Sequence, residues 1–169
     1  MTILVLCAAL SFAASPGFPE ASDSTEYVFD ESSALEISSA DSISRAIVEC
    51  GPEGSDMRAV RVDLNDDGIP EYMLCCNCGP AGCNYAIVDG QTRQLLGKVS
   101  GTRIHVLAQR THGGAVLEGF TPKGEGEATL VRMVYDGSSY VVDRTDLLTG
   151  IGVKWVQDKL DEIPKPPAH

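Results

Sequence analysis

The chain has 169 residues and a formal net charge of −11 at pH 7, with 24 acidic against 13 basic side chains. This length fits one domain. The acidic excess argues against nucleic-acid binding, because Lys and Arg contacts to phosphates drive that binding. It favours a basic partner, which a negatively charged surface attracts over long range.

Residues 1–14 predict a secretory signal peptide. An apolar run followed by small residues precedes Pro16, as at the cleavage sites of such peptides. The run is short and follows no Lys or Arg, which a start codon placed too far downstream would explain. A buried strand or helix is the alternative. We therefore expect a periplasmic or secreted protein without a membrane span, since a transmembrane helix needs ~20 apolar residues.

A flexible acidic leader is predicted over residues 15–38, and a single β-rich domain over residues 39–163. The leader is polar and acidic and has little periodicity. At the start of the domain a helix is predicted from Ser39 to about Cys50, since apolar residues recur on one face. The Gly51-Pro52 pair ends this helix.

The segment Asp63-Leu64-Asn65-Asp66-Asp67-Gly68-Ile69-Pro70-Glu71 has the pattern D-x-N-x-D-G-x-x-E. Oxygen-bearing side chains alternate around one Gly, which permits a sharp turn, and calcium takes six to eight oxygen ligands. The final Glu comes three positions earlier than in an EF-hand loop of ~12 residues, so we predict a shorter calcium loop between two strands. The predicted ligands are Asp63, Asn65, Asp67, Ile69 through its backbone carbonyl, and Glu71.

An alternative interpretation of this segment is an acidic turn that binds no metal. Asp, Asn and Gly are ordinary turn residues, because their side chains or their backbone freedom favour turn conformations.

Five cysteines follow the predicted signal peptide, so at least one thiol is left over. Cys78 and Cys83 flank a short loop with Gly and Pro that suits a local disulfide. Cys50 can then reach Cys75 or its neighbour Cys76. The alternative is a zinc or iron–sulfur site, but an oxidising compartment favours disulfides.

Short β-rich runs alternate with turns from Met57 to Val142. They predict an antiparallel sheet, in a meander or a small barrel-like sandwich. A second helix is predicted from Val153 to Glu162, and residues 164–169 form a Pro-rich tail. The predicted fold class is therefore mainly β, with one N-terminal and one C-terminal helix.

No catalytic motif of the familiar hydrolase, metalloprotease or phosphate-loop types is visible. His105 falls in an alternating strand and His112 in a loop. We therefore predict a binding protein and not an enzyme, with a Cys–His thiol enzyme as a weaker alternative. Sheets present loops for recognition, and the candidate loops are Asp136–Ser139, Arg110–Gly114 and Cys78–Cys83.

The runs Arg61–Tyr72, Cys78–Cys83 and Met133–Tyr140 resemble a group of small periplasmic bacterial proteins. Their D-x-N-x-D-G-x-x-E loop is similar to that of FG-GAP calcium repeats. Among them, the size and layout are most similar to the periplasmic immunity proteins of type VI secretion amidase toxins. The double Cys75-Cys76 and the C-terminal helix depart from that layout.

This resemblance implies an immunity protein whose loop residues, often serines, block the cleft of a peptidoglycan-cleaving cysteine amidase. It assigns that role here to Ser138 and Ser139. The predicted partner-binding set is completed by Asp136, His112 and Arg110 from the candidate loops. The alternative function is a calcium-dependent module that binds glycan or matrix at the cell envelope or surface.

Overall fold

The computed structural model describes residues 26–37 and 58–166. The elements in chain order are β1 (Tyr27–Phe29), a short 3-10 helix (Glu31–Ser33), β2 (Leu35–Glu36), β3 (Arg58–Val62), β4 (Glu71–Gly79), β5 (Gly82–Val88), β6 (Leu95–Gly101), β7 (Arg103–Thr111), β8 (Gly114–Gly124), β9 (Glu127–Tyr135), β10 (Tyr140–Thr149) and α1 (Ile151–Glu162).

The strands form two antiparallel sheets of five strands each. Sheet A has the order β1-β7-β8-β9-β10, and sheet B has the order β2-β3-β4-β5-β6. Most neighbours in each sheet are also neighbours in sequence, as the regular turn signals predicted. The mainly β, antiparallel prediction is therefore confirmed, and the two sheets form a sandwich.

The main core lies between the two sheets. Alternate residues of a strand project to opposite faces, and those on the inner faces include the fully buried Phe29, Tyr85, Ile87 and Leu117. The rings of Phe29 and Tyr85 meet edge to face, with their centroids 5.5 Å apart. This contact joins β1 of sheet A to β5 of sheet B.

The outer faces of both sheets also bury apolar side chains. On sheet A, α1 packs its Val153, Val156 and Leu160 against a cluster that includes Phe120 and Ala128. This i, i+3, i+7 spacing gives a helix one apolar face, and the predicted C-terminal helix is confirmed. On sheet B a second outer cluster comprises Ala59, Tyr72, Leu74, Cys76, Ala86 and Val88.

The prediction of a flexible leader over residues 15–38 is wrong for residues 26–37. β1 pairs with β7, and β2 pairs with β3, so this segment contributes to both sheets. The run Tyr27-Val28-Phe29 has high β-propensity, and the burial of Phe29 outweighs the acidic character of its neighbours. Local composition therefore misled the prediction.

The Pro-rich tail contacts the segment that contains β1. The Val28 N–H donates to the Pro164 carbonyl at 2.9 Å, and the Lys165 ammonium lies 3.5 Å from the Asp30 carboxylate. The predicted signal peptide (residues 1–14) and N-terminal helix (Ser39 to Cys50) lie outside the described residues. In the described part of the chain, no helix combines the length and apolarity needed to cross a membrane.

We predict that Phe29→Ala lowers the free energy of unfolding by about 3–5 kcal/mol, the usual cost of removing a buried aromatic side chain. Urea unfolding followed by circular dichroism measures this change. Leu35→Ala is the control, because Leu35 belongs to the same segment but is 53% exposed. If Phe29→Ala unfolds like the wild type, β1 does not contribute to the core in solution.

Candidate functional site

Three connections meet at one end of the sandwich. They are the acidic loop (Asp63–Glu71), the Arg110–Gly114 turn between β7 and β8, and the Asp136–Ser139 turn between β9 and β10. The Ala115 N–H donates to the Leu64 carbonyl at 2.7 Å, which attaches the acidic loop to sheet A. We call this part of the molecule the loop end.

The acidic loop is held by its own side chains. Asp63 Oδ2 accepts from the Gly68 N–H at 2.8 Å, Asn65 Oδ1 from Asp67 at 3.0 Å, and Asp67 Oδ1 from Ile69 at 2.7 Å. Such side-chain bonds to the backbone replace those of regular structure in turns. Gly68 adopts a positive φ of 82°, as the sharp turn in the sequence pattern predicted.

The Glu71 side chain is buried beneath the acidic loop and bonds to its backbone. Glu71 is the first residue of β4, only 1% of its surface is exposed, and its Oε2 accepts from the Leu64 N–H at 2.7 Å. Burial raises the pKa of Glu71 to about 7, because the charged form loses its hydration, while the Leu64 hydrogen bond opposes this rise and the carboxylates of Asp67 and Asp63 add to it.

The donor chemistry of the acidic loop fits calcium, but its carboxylates do not form a compact cluster. Among the described residues, one group of three Asp, Glu, His or Cys ligand atoms lies within 4.8 Å, formed by Glu31, Cys78 and Cys83. Its two cysteines are joined in a disulfide, so they are not thiolate ligands. Asp63, Asp67 and Glu71 all supply oxygen, the donor that calcium prefers, in a loop already stabilised by internal hydrogen bonds.

Arg110 links the acidic loop to sheet A. Its guanidinium makes a bidentate pair with Asp66, with nitrogen–oxygen distances of 3.1 and 3.0 Å, and also donates to the Leu107 carbonyl at 2.7 Å. The predicted partner-binding residue Arg110 is therefore engaged within the chain. Paired, planar hydrogen bonds of this kind fix geometry as well as charge.

The Asp136–Ser139 turn is organised around one carboxylate. Asp136 Oδ1 accepts from the Ser138 N–H at 2.8 Å, the Ser138 hydroxyl at 2.9 Å and the Ser139 N–H at 2.8 Å. The hydrogen bonds from Ser139 and Ser138 hold the pKa of Asp136 below its usual range. The tip is exposed at Asp136 and Ser138, and half-buried at Ser139.

His112 connects the two turns. Its Nδ1 lies 3.1 Å from the Tyr135 carbonyl oxygen, and its Cβ is 3.9 Å from the position that a side chain at Gly137 would take. The Tyr135 N–H also donates to the Thr111 hydroxyl at 3.0 Å. The structure thus brings together all the predicted partner-binding residues, which sequence separation alone did not reveal.

The Cys78–Cys83 loop lies elsewhere. β4 starts at the acidic loop and runs nine residues to Gly79, so this loop is at the opposite end of sheet B. Its predicted disulfide is confirmed. Of the three candidate recognition loops, two therefore share the loop end and one does not.

Of the two predicted partners of Cys50, Cys75 is ruled out and Cys76 is not. Cys75 carries a free thiol, whereas its neighbour Cys76 is disulfide-bonded. Adjacent residues of a strand face opposite sides: Cys75 packs against the inner core and Cys76 belongs to the outer cluster of sheet B. Cys50 lies outside the described residues.

The outer face of sheet A carries a row of polar side chains that the sequence did not predict. We call it the outer polar row, and it consists of Glu26, His105, Glu118 and Arg132. His105, 1% exposed, has Nδ1 3.6 Å from Glu118 and Nε2 3.4 Å from Glu26. Arg132 lies 3.1 Å from Glu118. The hydrogen bond from His105, aided by Arg132, holds the pKa of Glu118 below its usual range. These partners are far apart in sequence: Glu26 precedes β1, and His105, Glu118 and Arg132 come from β7, β8 and β9, so no local spacing indicated them.

No family model, curated protein or solved structure matches this chain.

We predict that Cys75 alkylates at least ~100-fold more slowly in the native protein than in urea at pH 8. Burial raises its pKa to about 11, and the thiolate is the reactive form. Mass spectrometry after timed iodoacetamide treatment measures the rate, with the urea-unfolded chain as the control. Rapid native alkylation would instead support the thiol-enzyme alternative.

Proposed function

We propose that this protein is an exported inhibitor that blocks the active-site cleft of a peptidoglycan-degrading amidase with its loop end. The observation that carries the proposal is the juxtaposition of the Asp136–Ser139 and Arg110–Gly114 turns. A pair of adjacent hairpin turns makes a narrow projection of the kind that enters a cleft. The resemblance to amidase immunity proteins names the class of partner.

The internal bonds of the loop end support this role. The Asp136 carboxylate fixes the backbone at Ser138 and Ser139, and the His112–Tyr135 contact holds the second turn beside it. A binding element already held in one conformation loses less entropy on binding. The exposed Ser138 hydroxyl is then available to exchange its bond to Asp136 for a bond to the partner.

Charge supports a basic partner. The acidic loop contributes an exposed carboxylate at Asp67, and Asp136 adds another at the neighbouring tip. Together with the net charge of −11, these groups attract a positively charged enzyme and raise its association rate at low salt.

We predict that Ser138→Trp weakens inhibition at least ~30-fold, because a bulky side chain at the tip prevents entry into the cleft and the loss of a central contact costs ~2 kcal/mol or more. The measurement is the rate of peptidoglycan hydrolysis by a purified exported cysteine amidase that the wild-type protein inhibits. Ala81→Trp is the control, since Ala81 is exposed in the loop at the opposite end.

Equal inhibition by Ser138→Trp and the wild type would place the interface elsewhere. Loss of inhibition in Ala81→Trp alone would move it to the disulfide loop. Failure of the wild type to inhibit any such amidase would contradict the proposed function itself.

A second candidate function is a calcium-dependent module that binds glycan or matrix at the envelope. The position of the acidic loop at the same end favours it, because calcium bound there would stabilise any recognition surface built on the two turns. Asp63, Asn65, Asp67, the Ile69 carbonyl and Glu71 would hold the ion. Bound calcium would supply a positive charge that offsets repulsion among the loop carboxylates.

We predict that about 1 mM calcium raises the melting temperature by roughly 5–10 °C if its concentration is ~100 times the Kd, as mass action requires. Differential scanning fluorimetry measures the shift, and EGTA should reverse it. Asp67→Ala should abolish the shift.

Asp89→Ala is the matched control, because Asp89 caps a turn between β5 and β6 in the same manner but lies outside the acidic loop. An unchanged melting temperature for the wild type would establish the loop as a metal-free turn. In that case the inhibitor proposal would still stand, since its test does not involve the metal.

A further inference from the structure

β10 forms an exposed edge of sheet A. In the described ranges it pairs only with β9, and it is ten residues long. An edge strand offers unpaired N–H and C=O groups to another chain. Three of its apolar side chains are exposed, namely Val141 (40%), Val142 (59%) and Leu147 (62%). Within residues 26–37 and 58–166, this edge therefore combines unpaired backbone groups with apolar surface.

The register with β9 fixes the direction of each side chain. Val142 pairs with Met133 of the inner core, so it projects to the inner side. Arg144 pairs with Arg132 of the outer polar row, so it projects to the outer side. A bulge at residue 143 separates the two.

We propose that two copies of this chain pair through β10 in an antiparallel arrangement, with the two-fold axis at Thr145. Arg144 of each copy then lies opposite Asp146 of the other. Residue 143 is the extra residue of the bulge and takes no place in the register, so Val142 of each copy lies opposite Leu147 of the other. Directly opposed side chains share a face and lie ~5 Å apart, so the ion pairs form on the outer side and the apolar pairs on the inner side.

The charges select this register over its neighbours. Directly opposed residues must lie on the same face of the sheet, so the register can shift only by two residues at a time. Each such shift moves the two-fold axis along β10 by one residue. Moving the axis to residue 144 sets Arg144 against Arg144, and moving it to residue 146 sets Asp146 against Asp146. Both alternatives oppose like charges, which destabilises a strand pair.

Within one copy, Arg144 and Asp146 already form an exposed ion pair at 2.8 Å. In the dimer, the two internal ion pairs, one in each copy, are exchanged for two equivalent pairs across the axis. The side chains need no new rotation to the opposite face, since both already project to the outer side of sheet A.

The pairing leaves both loop ends accessible. The strand from Thr145 to the Asp136–Ser139 turn covers five residues or more, so each loop end lies ~17 Å or more from the axis at 3.3 Å per residue. Because the strands run in opposite directions, the two loop ends point away from each other. The inference therefore does not depend on the proposed function.

The test uses two full-length charge-reversal variants, Arg144→Asp and Asp146→Arg. Each alone should lower dimer content at least ~10-fold, because like charges face each other across the axis. An equimolar mixture should restore a dimer, since every opposed pair is then of opposite sign. Sedimentation equilibrium over roughly 1 µM to 1 mM, a range that covers weak specific complexes, measures the masses.

The mixture distinguishes an effect on dimer formation from an effect on folding. The internal Arg144–Asp146 ion pair is lost in both variants, so mixing them can restore only the contacts between copies. Lys154→Asp and Asp158→Lys are matched controls, since they break another exposed ion pair, on α1, at 2.7 Å; they should leave dimer content unchanged. A wild type that stays monomeric at 1 mM, or a mixture that stays monomeric when the wild type dimerises, would overturn the proposal.

Discussion

The bidentate pair between Arg110 and Asp66 joins the two sheets at the loop end. Arg110 belongs to β7 of sheet A, and Asp66 to the loop between β3 and β4 of sheet B. The Ala115 N–H to Leu64 carbonyl bond reinforces this junction. Because the Asp136–Ser139 turn rests against the Arg110–Gly114 turn through His112, the geometry of the whole loop end depends on this junction.

The acidic loop therefore acts first as a structural element. Its Asp and Asn side chains satisfy backbone N–H groups, and Glu71 is buried beneath them. A buried carboxyl with a raised pKa is often a functional marker, yet here burial and neighbouring carboxylates explain the shift. Calcium would strengthen this element without being the group that contacts a partner.

Local signals in the sequence predicted local structure well. The candidate loop Asp136–Ser139 does lie between two strands, β9 and β10, and the predicted local disulfide between Cys78 and Cys83 is present. The adjacency of the Asp136–Ser139 and Arg110–Gly114 turns was not predictable, because it depends on which strands become neighbours in sheet A. Similarly, composition concealed β1, where one buried side chain, Phe29, outweighs a polar context.

The most direct measurement is native-state hydrogen exchange of the Gly68 and Ala115 amides in the Arg110→Gln variant. Loss of the Asp66 pair should speed exchange of both at least ~10-fold, because local opening then requires less free energy. The Gly150 amide, which donates to Gly126 at the opposite end, should keep its wild-type rate. Unchanged exchange at both Gly68 and Ala115 would contradict the claim that this ion pair organises the loop end.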